Sequence, residues 1–456
     1  MLEEKENIPF QLTDELVERV ELLIENKNNK ELKQLLDEYH YADIAEILDE
    51  LNLENAMYVI KLLDSETTSD VLMELDEDNR EKVLQNLSAK EIAEEVEELD
   101  TDDAADIIAE LPQERQQEVI SKIEDQEHKA EIEELLAYDE NTAGGLMAKE
   151  LVKVYETWTV AGCLRKIRAQ AENVTRVHSI YVVNKKEKLI GRLSLRDLIT
   201  AKSDQKIGDI YIKNVDYVFV DEDVEEVARI MAKYDLEAIP VVNREQTLLG
   251  RITIDDIVDV IKEEADKDYQ LAAGISQDVE ADDSILDLTK ARLPWLILGL
   301  FGGLGSVFIM EGFEGALEKY RELFFFTPLI AAMAGNVGVQ SSAIIVQGLA
   351  NDVVKGSLFN RLIKEIGLSI INGLVLGILV IIAGQLMHIG LLFSFTIAIS
   401  MLCVIIVAAL VGTFVPIVLD KKGIDPAIAT GPFITTSNDI FGIFLFFFIA
   451  KMILGF

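Results

Sequence analysis

The sequence predicts a multidomain chain. It reads as an all-α cytosolic superhelical N domain, a tandem pair of α/β modules, a connecting helix and a transmembrane domain of five α-helices. Three observations predict this. The formal net charge is −39, yet from Ala291 to Phe456 nine Lys/Arg cancel nine Asp/Glu, so the whole excess lies before Ala291. The neutral part carries uncharged runs long enough to cross a bilayer at ~20 residues each. In the acidic part, a 21-residue phrase recurs at an offset of 59.

The N domain is expected over 1–136. Between Asp37 and Lys129 a short phrase recurs loosely, as in Asp43-Ile-Ala-Glu-Ile-Leu, Glu91-Ile-Ala-Glu-Glu-Val and Asp103-Ala-Ala-Asp-Ile-Ile. Apolar residues at i, i+3 and i+4 give each short helix one buried stripe, and stacking such helices builds a superhelix with a continuous core. An acidic excess of this size repels nucleic acid and anionic lipid, and divalent cations relieve its self-repulsion. Met1-Leu-Glu-Glu-Lys-Glu has no apolar h-region, which predicts no cleavable signal and a cytosolic N-terminal half. Cys163 and Cys403 form neither a metal-type spacing nor a disulfide framework.

The α/β modules are expected over 137–203 and 204–262. Ser179-Ile-Tyr-Val-Val-Asn…Leu189-Ile-Gly-Arg-Leu-Ser-Leu-Arg-Asp-Leu-Ile199 returns as Ala238-Ile-Pro-Val-Val-Asn…Leu248-Leu-Gly-Arg-Ile-Thr-Ile-Asp-Asp-Ile-Val258, with eight of 21 positions identical. Each copy reads strand, turn, strand ending at Gly-Arg, then a helix headed by Ser194 or Thr253. The pair resembles tandem CBS domains. That resemblance implies nucleotide contacts at Ser194, Asp197, Thr253 and Asp256, with Arg196 toward a phosphate. The alternative is a plain helix cap with a structural Asp.

A connecting helix is expected over 263–290. It continues an acidic run, Asp255, Asp256, Asp259, Glu263, Glu264, Asp266 and Asp268, in which positions 256, 259, 263 and 266 share one face. Like charges so spaced destabilise the helix unless solvent screens them or a cation bridges them to a partner.

The membrane domain is expected over 291–456, with spans near 293–310, 324–350, 366–385, 390–419 and 427–450. Lys355, Arg361, Lys364, Lys421 and Lys422 fall in loops on the side of the N domain, which places the C-terminus outside. The second span carries Gly335-Asn-Val-Gly-Val-Gln340 and the fifth Gly431-Pro-Phe-Ile-Thr435-Thr-Ser-Asn-Asp439. A carboxylate at membrane depth points to a functional site, the alternative being a protonated or structural carboxyl. No Lys or Arg within the spans pairs with Asp439, so a cation in an aqueous path is its expected partner.

An acidic helical domain, paired CBS modules, a connecting helix and five spans, in this order, resemble the MgtE family of magnesium channels. The markers are Tyr138-Asp-Glu-Asn-Thr-Ala-Gly-Gly-Leu-Met147, the Gly335–Gln340 run, and Asp425-Pro-Ala…Gly431-Pro…Thr435-Thr-Ser-Asn-Asp439. The resemblance implies a homodimer in the bacterial plasma membrane, with the ion path between subunits and closure by cytosolic Mg2+. Asp439 would then hold Mg2+ in the pore, with Asn336, Gln340 and backbone carbonyls near Gly431 contacting its waters. Matches to regulatory Mg2+ ligands are Asp70, Asp102 and Asp106 in the N domain. In the second module they are Asp223, Glu225, Asp235, Asp256 and Asp259, with the backbone of Ala232. Glu264 and Asp268 match in the exit helix, and Asp425 at the cytosolic mouth. Lys267 stands where the family pattern has an acid, and ATP is a candidate modulator.

The alternatives are a CBS-regulated transporter of another divalent cation (Co2+, Mn2+ or Ni2+), a CBS-regulated anion channel, and a membrane-bound enzyme. An anion channel needs more spans and no intramembrane carboxylate. An enzyme is disfavoured because His40, His128, His178 and His388 are scattered and no nucleophile–base set or P-loop is present.

Overall fold

The computed structural model describes residues 10–170, 177, 179–277, 279, 283–350, 354 and 357–455. The chain divides into two compact units, Met1–Ile261 and Lys262–Phe456.

Among the described residues the first unit opens with ten short helices, from α1 (Asp14–Glu25) to α10 (Gln126–Leu135). Their ends are written into the sequence. Ser88 and Glu91 form a reciprocal capping box on α7 (Ala89–Val96), and His40 and Asp43 do the same on α3 (Tyr41–Asp49). Each helix buries one stripe, for example Ile92, Ala93 and Val96 of α7. α3 packs on α5 (Ser65–Glu74), α5 on α7, α7 on α9 (Gln113–Ile120), and α8 (Thr101–Ala109) on α10. Stacking on the helix two places along is the predicted superhelix, and it begins before Asp37, with α1 and α2 (Asn29–Leu36).

Two sheets follow, β1 (Val152–Tyr155), β2 (Ile180–Val183), β3 (Leu189–Leu193) and β4 (Val218–Phe219), β5 (Ala238–Val242), β6 (Leu248–Thr253). In each the first two strands are parallel and the last two antiparallel. The register repeats with the sequence, since Val182 faces Gly191 and Val241 faces Gly250. The first module has its own core around Val154, Cys163 and Leu198. The core of the second module, with Val227, Met231, Ile239 and Ile257, is continuous with that of the helical domain. The helical domain is therefore seated on the second module.

The connecting helix differs from its expected limits. α14 (Ile254–Ala273) runs straight on from β6 and stops well short of 290. Gly274, at φ +81°, ends it: Ile275 N donates to Gln270 O and Gly274 N to Leu271 O, closing a Schellman motif. Helix resumes at Ile285 under a Ser284 cap.

In the second unit, five helices are long and apolar enough to cross a membrane: α15 (Ile285–Glu311), α17 (Glu322–Ala350), α18 (Leu358–Leu386), α19 (Leu391–Asp420) and α20 (Gly431–Leu454). Most begin or end beyond the uncharged runs, because a helix continues past the hydrocarbon edge where its charged ends meet water. Short α16 (Glu314–Lys319) joins the first two. α19 is the most enclosed and packs on α17, α18 and α20. Glycines permit the close crossings: a Cβ on Gly412 would lie 2.4 Å from Gly338 O, and one on Gly373 2.3 Å from Leu402 Cδ1. Lys355 lies outside the described residues.

Candidate functional site

A groove of about 310 Å³ opens between α17 and α20. Ala331, Ala332, Gly335, Asn336, Val339 and Gln340 line one wall, and Thr435 and Asp439 the other. The wall residues lie at i, i+4 spacing, so each helix turns one stripe to the groove. A Cβ on Gly335 would stand 3.2 Å from Thr435 Cγ2 and 3.8 Å from Asp439 Oδ1, so glycine there admits the carboxylate to the opposite helix. Thr435 Oγ1 donates back to Gly431 O at 2.9 Å. Asn438 turns away from the groove and is buried against Gly338. The donors are carboxylate, amide and hydroxyl oxygens, and no Lys or Arg is among the lining residues. Oxygen donors with room for retained waters suit a hard divalent cation.

Gly431 does not line the groove. It starts α20 at φ +50°, where a Cβ would meet Ala272 O at 2.1 Å, so it abuts the end of α14 instead. Asp425 caps the 3-10 turn Pro426–Ala429 through Ala427 N at 2.7 Å. Burial, then the charges of Asp425 and Glu264, hold the Asp268 carboxyl above its ordinary range. Lys267 Nζ lies 2.8 Å from Glu264 Oε1, so a cationic side chain answers one acid of this group.

A second constellation lies within the first unit. Asp100, Asp102 and Glu150 bring carboxylate oxygens within 4.8 Å of one another. Glu150 accepts from Thr101 N at 3.2 Å and Thr101 Oγ1 at 2.8 Å, which fixes it across the start of α8. Burial foremost, with the charges of Asp103, Asp256, Asp100 and Glu150, pushes Asp102 well above the ordinary carboxylate range. Burial, then the Asp256 and Asp100 charges, pushes Asp103 up to about 7. Asp256 is also raised by burial, against the lowering effect of Thr253, whose Oγ1 donates to its Oδ2 at 2.6 Å. The residue shared by the nucleotide and metal expectations thus belongs to the acidic cluster.

The other expected residues are spread out. Asp106 is exposed on α8 beside Asp103, and Asp259 is exposed on α14. Asp70 sits on α5, raised by burial and then by Glu66. α13 (Val224–Tyr234) separates two groups: Asp223 caps its start through Glu225 N at 2.9 Å, while Ala232 and left-handed Asp235 stand at its end. At 1.5 Å rise per residue, these groups are well over one ion's reach apart within one chain. Ser194 heads α12 (Leu195–Thr200) and accepts from Arg196 N at 3.2 Å, with Asp197 in the first turn. The sequence reading did not single out Asp100, Asp103 or Glu150. Asp100 and Asp103 flank Asp102 and were open to inspection, but Glu150 enters through tertiary packing alone.

Family models match along most of the chain. They are the divalent cation transporter model MgtE at 327–449, the MgtE intracellular N domain at 39–141, and CBS domains at 143–204 and 207–263. The magnesium transporter MgtE of Bacillus subtilis is 38% identical over 317 residues, 70% of the relative and 69% of this chain. The chain belongs to the MgtE family. The magnesium transporter MgtE of Thermus thermophilus is 36% identical over 70% of this chain and 72% of its own. A crystal structure of the cytosolic domain of the Mg2+ channel MgtE in complex with ATP matches with a TM-score of 0.51 and 36% identity, covering 54% of this chain and 99% of that domain. The MgtE transporter model spans α17 to α20 and so contains both walls of the groove, and the MgtE N-domain model contains α8. The chain is a multi-pass membrane protein of a transporter family.

Proposed function

We propose that this chain conducts Mg2+ inward across a bacterial plasma membrane, through a pore completed by a second copy of itself. Asp439 in an open, oxygen-lined groove without a lining cation carries this reading. A single chain leaves Asn336 and Gln340 exposed along the groove, and a dimer would give the path two carboxylates. Mg2+ dehydrates reluctantly and is held by one or two carboxylates with several waters retained. Asn336, Gln340 and Thr435 would receive those waters. The N-terminal domains face the cytosol and the C-terminus the outside, and lipid covers the outer helix faces.

The acidic domains supply the control. The functional divisions are 1–136, 137–203, 204–262, 263–290 and 291–456. Cytosolic Mg2+ bridging the carboxylates around Asp102, Asp106, Asp256 and Asp259 favours the closed arrangement. Asp70, Asp223, Glu225, Ala232 and Asp235 add weaker sites, and Glu264, Asp268 and Asp425 act near the mouth. When Mg2+ falls, bare carboxylates repel and the pore opens. Each ion shifts the balance only by its differential affinity for the two states, so several sites act together. ATP, bound by the cytosolic domain of a relative 36% identical, is proposed as a modulator at Ser194, Arg196, Asp197 and Thr253.

Flux of Mg2+ into proteoliposomes tests the pore. Wild type is expected to take up Mg2+, and Asp439→Ala to lose nearly all uptake. Equal uptake by both would end the proposed route. Oxygen donors also accept Mn2+, Co2+ and Ni2+, so competition by these ions in the same assay decides the alternative cation.

A further inference from the structure

The duplicated Gly-Arg step at the end of each module's last strand has two different fates. In the first module Arg192 exchanges backbone hydrogen bonds with Ile212 at 3.0 and 2.8 Å, and its side chain is exposed. In the second, Arg251 exchanges the same pair with Ala148 at 2.9 and 2.8 Å, yet its side chain is only 6% exposed. The backbone geometry is the same. What differs is the helical domain, whose core is continuous with that of the second module and whose Asp100 reaches the second arginine.

Arg251 is buried among acids. Its Nη2 lies 3.7 Å from Asp100 Oδ2, and its charge also reaches Asp256. Asp100 in turn stands within 4.8 Å of Asp102 and Glu150. The segment that pairs with Arg251 also binds α8, since Lys149 N donates to Thr101 Oγ1 at 2.8 Å and Glu150 accepts from Thr101. Uncompensated buried charges would force the helical domain off the module, and a guanidinium is the least hydrated cation a protein can bury among them.

We propose that Arg251 is a tethered cation in the acidic interface between helical domain and second module. It neutralises part of the cluster at all times, keeps the interface partly docked when divalent cations are scarce, and sets how much Mg2+ completes the closure. The role is positioning and does not involve the ion path. It rests on the reading that Mg2+ favours docking, and the two are tested separately below.

Hydrogen exchange of residues 101–110 in the full-length protein in detergent measures docking. In EDTA, where Mg2+ plays no part, Arg251→Gln is expected to lower protection of this segment at least about tenfold. Arg251→Lys, which keeps the charge, should stay within about twofold to threefold of wild type, and Arg192→Gln should change nothing. The pair Asp100→Asn with Arg251→Gln restores the charge balance and should recover most of the loss, which also guards against a single variant that folds poorly. Unchanged protection in Arg251→Gln, or a double variant as exposed as the single one, overturns the proposal. Adding MgCl2 to wild type tests the underlying reading: absence of any rise in protection would remove Mg2+ closure, while the EDTA comparison would still decide Arg251.

Discussion

A Cβ placed on Gly274 would stand 2.3 Å from Cγ of Pro432, so the end of α14 is fitted against the start of α20 with no room for a side chain. The fit is reciprocal, because a Cβ on Gly431 would meet the carbonyl of Ala272. Both glycines also occupy left-handed backbone, which other residues adopt at a cost of roughly 1–2 kcal/mol. Gly274→Ala and Gly431→Ala are expected to weaken closure, seen in patch recordings as a severalfold larger current at saturating cytosolic Mg2+. Gly423→Ala separates strain from collision, since Gly423 has φ +69° but nothing within 4 Å. It should gate as wild type does.

The acidic cluster opposes its own burial, so removing one charge should help it. Asp102→Asn is expected to raise exchange protection of α8 in EDTA about fivefold and to reduce the further gain on adding Mg2+. Asp70→Asn, on a different helix, should leave α8 unchanged. A fall in EDTA protection for Asp102→Asn would mean that this carboxylate makes a needed hydrogen bond instead of a costly charge.

Glu91 provides a pH test of the helical domain. Hydrogen bonds from Ser88 hold its carboxyl at about 2, with Lys61 Nζ at 3.2 Å assisting. A carboxyl lowered in the folded state stabilises above its unfolded value of 4.5, and that contribution disappears as pH falls through about 2. Glu91→Ala should cost about 1 kcal/mol at pH 7, typical for a lost cap. Urea unfolding of wild type and variant should show this gap constant above pH 5 and narrowing below it.

In the membrane unit the contact of Gly412 with Gly338 allows α19 and α17 to touch. Gly412→Ala forces a Cβ to within 2.4 Å of a backbone oxygen, which side chains cannot relieve. Overpacking of this kind costs roughly 1–3 kcal/mol, which should lower the melting transition of the membrane unit in detergent by several degrees. Gly299→Ala, with nothing within 4 Å, is the control and should melt with wild type.

Much of this architecture is legible in the residues because local signals agree with tertiary ones. The Ser88–Glu91 box, the 59-residue repeat and the uncharged runs each lead to an element of the expected kind. Asp439, Asn336 and Gln340 share a groove because i, i+4 spacing puts polar residues on one face of each helix. The limits of the connecting helix were less legible. Gly274 ends the helix in left-handed backbone with a Schellman motif, and its close approach to Pro432 is a tertiary contact that the residues along the chain do not announce. Arg251 was invisible as a functional residue for a similar reason. Its sequence context matches that of Arg192, and burial beside Asp100 of the helical domain separates them.

Among the described residues each unit has a core of its own, Val20 to Val260 in the first and Leu323 to Ala450 in the second. Denaturation of the intact protein should therefore not be a single cooperative event. Calorimetry in mild detergent should resolve separate endotherms, the earlier one moving with chelators and the later one with the choice of surfactant. A lone melting temperature would describe neither half.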